Sequence, residues 1–69
     1  MRDKKRLEDV YETLRAYHEE IPDIRFLQLM MDFFSWHYQN FNTDGFYVED
    51  EDFLTRFKMF MKDLFNVDM

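Results

Sequence analysis

The apolar positions of the chain fall into three blocks, each with the spacing of a helix. In the first block, apolar side chains recur every three or four positions and form a single stripe, made of Leu7, Val10, Tyr11, Leu14, Tyr17 and Ile21. Polar and charged residues hold the opposite side, as in a helix that packs on one face only. The pattern predicts a first helix over about residues 4–20. Pro22 ends it, because proline has no amide proton to donate.

The second block, residues 24–41, is apolar on nearly every side of a helix, and Asp23 before it is a suitable N-cap. One stripe contains Leu27, Met30, Met31, Phe34, Tyr38 and Phe41. A second stripe contains Phe26, Leu29, Phe33 and Trp36. The first helix can cover only one stripe, so the other needs the third helix, a second copy of the chain, or both. Because a helix this apolar must be covered on most sides, we predict that it lies at the centre of the fold.

The third block predicts a helix over about residues 50–65, with an inner stripe of Phe53, Leu54, Phe57, Phe60, Met61 and Leu64. The turn signal Asn40–Gly45 separates it from the second helix. We interpret Phe46–Val48 as an extended linker, and a hairpin over Trp36–Val48 is the alternative. The predicted fold is one all-α domain, residues 1–69, with a three-helix, bundle-like arrangement around the apolar central helix.

Size and composition favour helices with an aromatic core. A chain of 69 residues buries only about 60% of the surface that its unfolded form exposes. Cysteine is absent, so disulfides and thiolate metal sites are excluded, whereas 20% of the residues are aromatic and supply bulk for a core. The start of the chain is basic rather than apolar, and the second block contains charged and polar residues. We therefore expect neither a signal peptide nor a membrane span, and we expect a cytoplasmic protein.

The net charge of −6 is unevenly placed, because residues 1–6 carry +3 and the rest of the chain −9. An acidic body repels the phosphates of nucleic acids. We therefore expect no direct binding to DNA or RNA.

A helix, a Pro-Asp break and a second helix form a recognisable pattern in Arg6-Leu7, Val10, Leu14, Pro22-Asp23-Ile24 and Leu27-Gln28. This pattern resembles the N-terminal half of the small bacterial YihD-like proteins. The similarity resumes in Asp50–Met59 and covers roughly residues 5–30 and 50–60. It implies a small cytoplasmic helical protein and carries no activity, because the family is uncharacterised. The aromatic run Phe33–Tyr38 and the loop Asn42–Gly45 depart from its pattern.

The residues needed for catalysis are scarce. Ser35 and His37 are two positions apart on a helix, so their side chains diverge. Neither His18 nor His37 has His, Asp or Glu three or four positions away, which is the usual spacing of a helical metal site. We expect both histidines to be at the surface or half-buried. We predict no enzyme, no catalytic residue, no metal site and no cofactor.

Two acidic segments suggest alternatives. Oxygen-bearing residues and a glycine match the spacing of an EF-hand calcium loop at Asn40, Asn42, Asp44, Gly45 and Glu51. However, the first position lacks a charge and Tyr47 occupies the usual aliphatic position. The run Glu49–Asp52 is placed to stabilise the start of the third helix. If its carboxylates are exposed together, the alternative is an acidic inhibitor of bacterial or phage origin that mimics nucleic acid and binds a nucleic-acid enzyme.

The aromatic content of the second helix favours a protein–protein interface, because aromatic residues and Met are enriched at interface centres. The candidate interface residues are Phe26, Leu29, Phe33, Trp36 and Met59, and we predict that all of these except Leu29 face outwards. The function that the sequence favours is a non-enzymatic interaction or accessory module that forms a homodimer through the second helix, or binds another protein. On this interpretation, Trp36→Glu separates the copies without unfolding the first helix.

Overall fold

The computed structural model contains three helices, named α1 (Lys4–Glu19), α2 (Phe26–Phe41) and α3 (Asp50–Phe65). The predicted all-α, three-helix fold is confirmed, and the predicted bounds are within two residues of the observed ones. The structure describes residues 4–43, 45 and 48–68.

The turn between α1 and α2 is closed by hydrogen bonds that reach Ile24. The amide of Ile24 donates to the carbonyl of Ile21, and the carbonyl of Ile24 accepts from Nε2 of His18. These bonds hold residue 24 outside the helix, and Arg25, with an extended backbone, takes the N-cap position without a side-chain cap. The prediction that Asp23 caps α2 is therefore wrong.

An asparagine in the left-handed conformation ends both α2 and α3. Asn42 has φ of 57° and Asn66 has φ of 56°, and each amide donates back into the last turn of its helix. Asparagine tolerates this conformation better than other non-glycine residues do, so it can close a helix where glycine is absent. The Phe-Asn pair at the end of both helices is thus the signal that stops them.

The helix that packs against both others is α3. Its Phe57 ring lies edge-on to Tyr17 of α1, with centroids 5.8 Å apart, and at the same distance from Phe33 of α2. The central position that we predicted for α2 therefore belongs to α3. The reason is that Phe57 of α3 lies between the other two helices and contacts a ring of each.

The core is small and mostly aromatic. The ring of Phe33 is at its centre, with 2% of its surface exposed, and lies 5.2 Å from Phe53 and 5.5 Å from Phe60 between ring centroids. The buried apolar residues are Tyr17, Leu29, Phe33, Trp36, Phe57, Phe60 and Met61. Because a buried aromatic side chain covers about 150–250 Å², a few rings suffice to fill the core of a chain of this size.

The connection between α2 and α3 is described only in part. Asp44, Phe46 and Tyr47 lie outside the described residues, so the predicted linker Phe46–Val48 stays a prediction. The alternative hairpin from Trp36 is wrong, because α2 remains helical to Phe41.

Candidate protein-binding surface

The second apolar stripe of α2 is mostly buried within the monomer, whereas most of the first stripe is exposed. Leu29 and Phe33 of the predicted interface are buried against the other helices of the same chain, with 0% and 2% exposed. Adjacent helical residues point about 100° apart, so Phe34 turns away from this core and is 37% exposed. The prediction that Phe33 faces outwards is wrong, because the rings of α3 cover it within the monomer.

Trp36 also belongs to the core. It is 6% exposed, and its Nε1 donates to Oδ2 of Asp63 over 2.8 Å. Its ring lies 5.7 Å from that of Phe60. The prediction that Trp36 faces outwards is therefore also wrong. A charge introduced there would disrupt the core rather than separate two copies.

Phe26 and Met59 are the members of the candidate interface that remain accessible, each 49% exposed. The ring of Phe26 packs against that of His18 at the end of α1, with ring centroids 6.3 Å apart. Met59 lies on α3. Because the other three members are buried, the five predicted residues do not form one exposed surface.

Apart from Phe26, the exposed large apolar side chains of α2 are Leu27, Met31, Phe34 and Tyr38, which we call the α2 stripe. Leu27 is 74% exposed, Met31 68% and Tyr38 58%. Their steps of four, three and four residues keep them on one side of the helix. At 1.5 Å per residue the stripe is about 16 Å long. Sequence periodicity identified these residues but assigned them to the covered side.

The α2 stripe lies on the helix with the least charge. Asp32 is the only charged residue of α2, whereas eight of the sixteen residues of α1 and seven of the sixteen of α3 are charged. The carboxylate of Asp32 accepts a hydrogen bond from Nε2 of Gln28 over 2.8 Å. A surface that is apolar, nearly uncharged and carried by one helix has the chemistry of an interface core.

A buried polar cluster fixes the C-terminal end of α2 against α3. His37 is fully buried, contrary to our expectation, and its Nδ1 donates to the carbonyl of Thr43 over 3.0 Å. Its Nε2 accepts from Nη1 of Arg56 over 2.8 Å. The guanidinium also sits 4.1 Å from the ring centroid of Phe41, which stacks on His37 at 4.9 Å. These contacts fix the orientation of the α2 stripe, because α2 cannot rotate without breaking the hydrogen bonds of His37.

The acidic run at the start of α3 is divided between two directions. Asp50 is half-buried towards α1, with Oδ2 at 3.0 Å from Nε of Arg6, although the N–H of Arg6 does not point at it as in a hydrogen bond. Glu49, Glu51 and Asp52 are exposed. This pairing removes one of the four carboxylates from the common surface that nucleic-acid mimicry requires.

The predicted calcium loop is only partly described. Among residues 4–43, 45 and 48–68, no group of three His, Cys, Asp or Glu side chains lies close enough to hold a metal ion. Asn40 donates its side-chain amide to the carbonyl of Trp36. Asp44 lies outside the described residues, so the calcium alternative stays a prediction.

Comparisons with known proteins gave no match from which the role of the α2 stripe could be inferred. The chain matches no family model, and neither curated proteins nor solved structures gave a match. The resemblance to the YihD-like proteins stays a prediction. Within the described part of the chain, no helix has the length and apolar character needed to cross a membrane.

Proposed function

We propose that this chain is a non-enzymatic protein–protein interaction module that forms a homodimer through the α2 stripe. The observation that carries the proposal is an aligned row of four exposed apolar side chains on the least charged helix. In this proposal the chain is a cytoplasmic accessory protein of a bacterium or phage. The dimer interface lies on the side of α2 opposite to Phe33 and Trp36.

The apolar area of the α2 stripe is sufficient for a weak dimer. Leu27 and Met31 each have two-thirds or more of their surface exposed. Fully burying one exposed side chain of this kind contributes about 1.5–3 kcal/mol to the free energy of association. Scaled by their exposed fractions, the four side chains of the stripe contribute about 4–7 kcal/mol from each copy. Association costs on the order of 4–15 kcal/mol in lost freedom of motion. Four side chains from each copy form an interface at the small end of the known range, which is typical of weak complexes, so we expect a dissociation constant of micromolar to millimolar order.

The charge distribution favours a second copy as the partner. Two chains of net charge −6 repel each other, and the repulsion is smallest where their least charged surfaces meet. The α2 stripe provides that surface, whereas a basic partner would be drawn to the exposed Glu49, Glu51 and Asp52. Because salt screens the repulsion between exposed charges, we expect the homodimer to become stronger as ionic strength rises. Binding of a basic partner to the carboxylates would become weaker instead.

Sedimentation equilibrium over micromolar to millimolar protein concentrations tests the proposal. We expect the average mass to rise from 8.8 kDa towards twice that value. Met31→Glu should remain monomeric throughout, because it introduces an unpaired charge into the stripe. Gln39→Glu is the matched control, since it adds the same charge to another exposed position of α2. A wild-type chain that stays at 8.8 kDa up to millimolar concentration contradicts the proposal, as does equal dimerisation of Met31→Glu.

A further inference from the structure

The pattern of the α2 stripe also defines the direction in which two copies pair. Resting on the proposed function, we infer that the two α2 helices lie antiparallel across a two-fold axis. Leu27 then faces Tyr38 of the second copy, and Met31 faces Phe34 of the second copy. The axis passes through the middle of the stripe.

The spacing of the stripe permits this arrangement along its whole length. The steps from Leu27 to Tyr38 are four, three and four residues, and this order is unchanged when the helix is reversed. All four side chains of one copy therefore meet all four of the other. A two-fold dimer requires such self-complementarity, because the same surface is used on both sides.

The sizes of the side chains favour the antiparallel direction over the parallel one. The N-terminal half of the stripe contains the aliphatic side chains of Leu27 and Met31, and the C-terminal half contains the rings of Phe34 and Tyr38. Antiparallel pairing places one ring against one aliphatic side chain at every level, so the distance between helices stays even. Parallel pairing places ring against ring at one end and aliphatic against aliphatic at the other. Close packing at interfaces, as in protein interiors, favours the even arrangement.

Single cysteines can distinguish the two directions, because the native chain contains none. Leu27→Cys and Tyr38→Cys are prepared separately, oxidised alone and as an equimolar mixture, and the disulfide-linked products are identified by mass. We expect the mixed disulfide between the two variants to exceed either homodisulfide severalfold. Gln39→Cys, which lies outside the stripe, should give only background cross-linking with itself or with either variant.

The other outcomes overturn the inference. A dominant homodisulfide of Leu27→Cys indicates parallel pairing. Cross-linking at background level in every mixture, with a dimer still present in sedimentation of the reduced variants, places the interface elsewhere. A dominant Leu27→Cys homodisulfide leaves the homodimer through the α2 stripe standing and overturns only its direction, whereas an interface elsewhere also contradicts the α2 stripe as the dimer surface. A monomeric wild-type chain instead removes the proposed function and this inference together.

Discussion

The adjacent residues Phe33 and Phe34 should respond very differently to truncation. Phe33 is 2% exposed and surrounded by rings of α3, whereas Phe34 is 37% exposed and belongs to the α2 stripe. Replacing a core phenylalanine by alanine costs about 3–5 kcal/mol. Phe34 is only partly covered in the monomer, so its loss should cost about 1–2 kcal/mol.

The difference is large relative to the stability of the chain. A domain of 69 residues has a free energy of unfolding of about 3–10 kcal/mol. Phe33→Ala therefore removes between about a third and all of it, and we expect a large drop in the urea midpoint, with a chain already unfolded at 25 °C if the native stability is near the lower bound. Phe34→Ala should stay folded and lose roughly 4–16 °C in Tm, since 1 kcal/mol corresponds to about 4–8 °C in a domain of this size.

Urea unfolding at low micromolar concentration measures this difference without a contribution from dimerisation. Far-ultraviolet circular dichroism follows the helices, and the fluorescence of Trp36, the only tryptophan, follows the core. Equal losses in free energy of unfolding for Phe33→Ala and Phe34→Ala would refute the assigned orientation of α2. A greater loss for Phe34→Ala would show that the two sides of the helix are reversed.

Three further substitutions test contacts around the core. Trp36→Phe should lower the free energy of unfolding by about 1–2 kcal/mol in urea titrations, because it removes the hydrogen bond to Asp63 and part of a buried ring; an unchanged value would contradict that bond. Arg56→Met keeps an unbranched apolar stem but leaves Nε2 of buried His37 without a hydrogen-bond donor, so we expect the free energy of unfolding to fall by about 1–3 kcal/mol in urea titrations. The control Lys58→Met, on the exposed side of α3, should change that free energy little. Gly45→Ala should lower Tm by several degrees, because residue 45 has φ of +88° and an added Cβ would lie 3.4 Å from Nδ1 of His37; an unchanged or raised Tm would contradict the strained backbone at this position.

The sequence predicted the helices better than it predicted their faces. The periodicity of α1 and α3 contains one stripe each, and the buried residues Tyr17 and Phe57 lie on those stripes. In α2 both stripes have helical spacing and similar hydrophobicity, so periodicity cannot choose between them. The choice is made by α3, whose rings and Asp63 carboxylate match Phe33 and Trp36.

The buried histidine could not be predicted for a related reason. The ring of His37 packs on Phe33 and Phe41 of its own helix, but its two hydrogen-bond partners come from the following loop and from α3. Such partners depend on how the helices are arranged in space, which local spacing does not contain. The one signal in the sequence is position: His37 lies on the same side of α2 as Leu29 and Phe33.

The central position of α3 has a consequence for the order in which the chain can fold during synthesis. Because α3 supplies the rings that meet both Tyr17 and Phe33, α1 and α2 cannot complete their core until α3 has left the ribosome. Until then α2 exposes both of its apolar stripes to solvent and to other nascent chains. Folding of the core therefore waits until α3 has been synthesised, and in that interval the unfinished chain is exposed to chaperones and to aggregation.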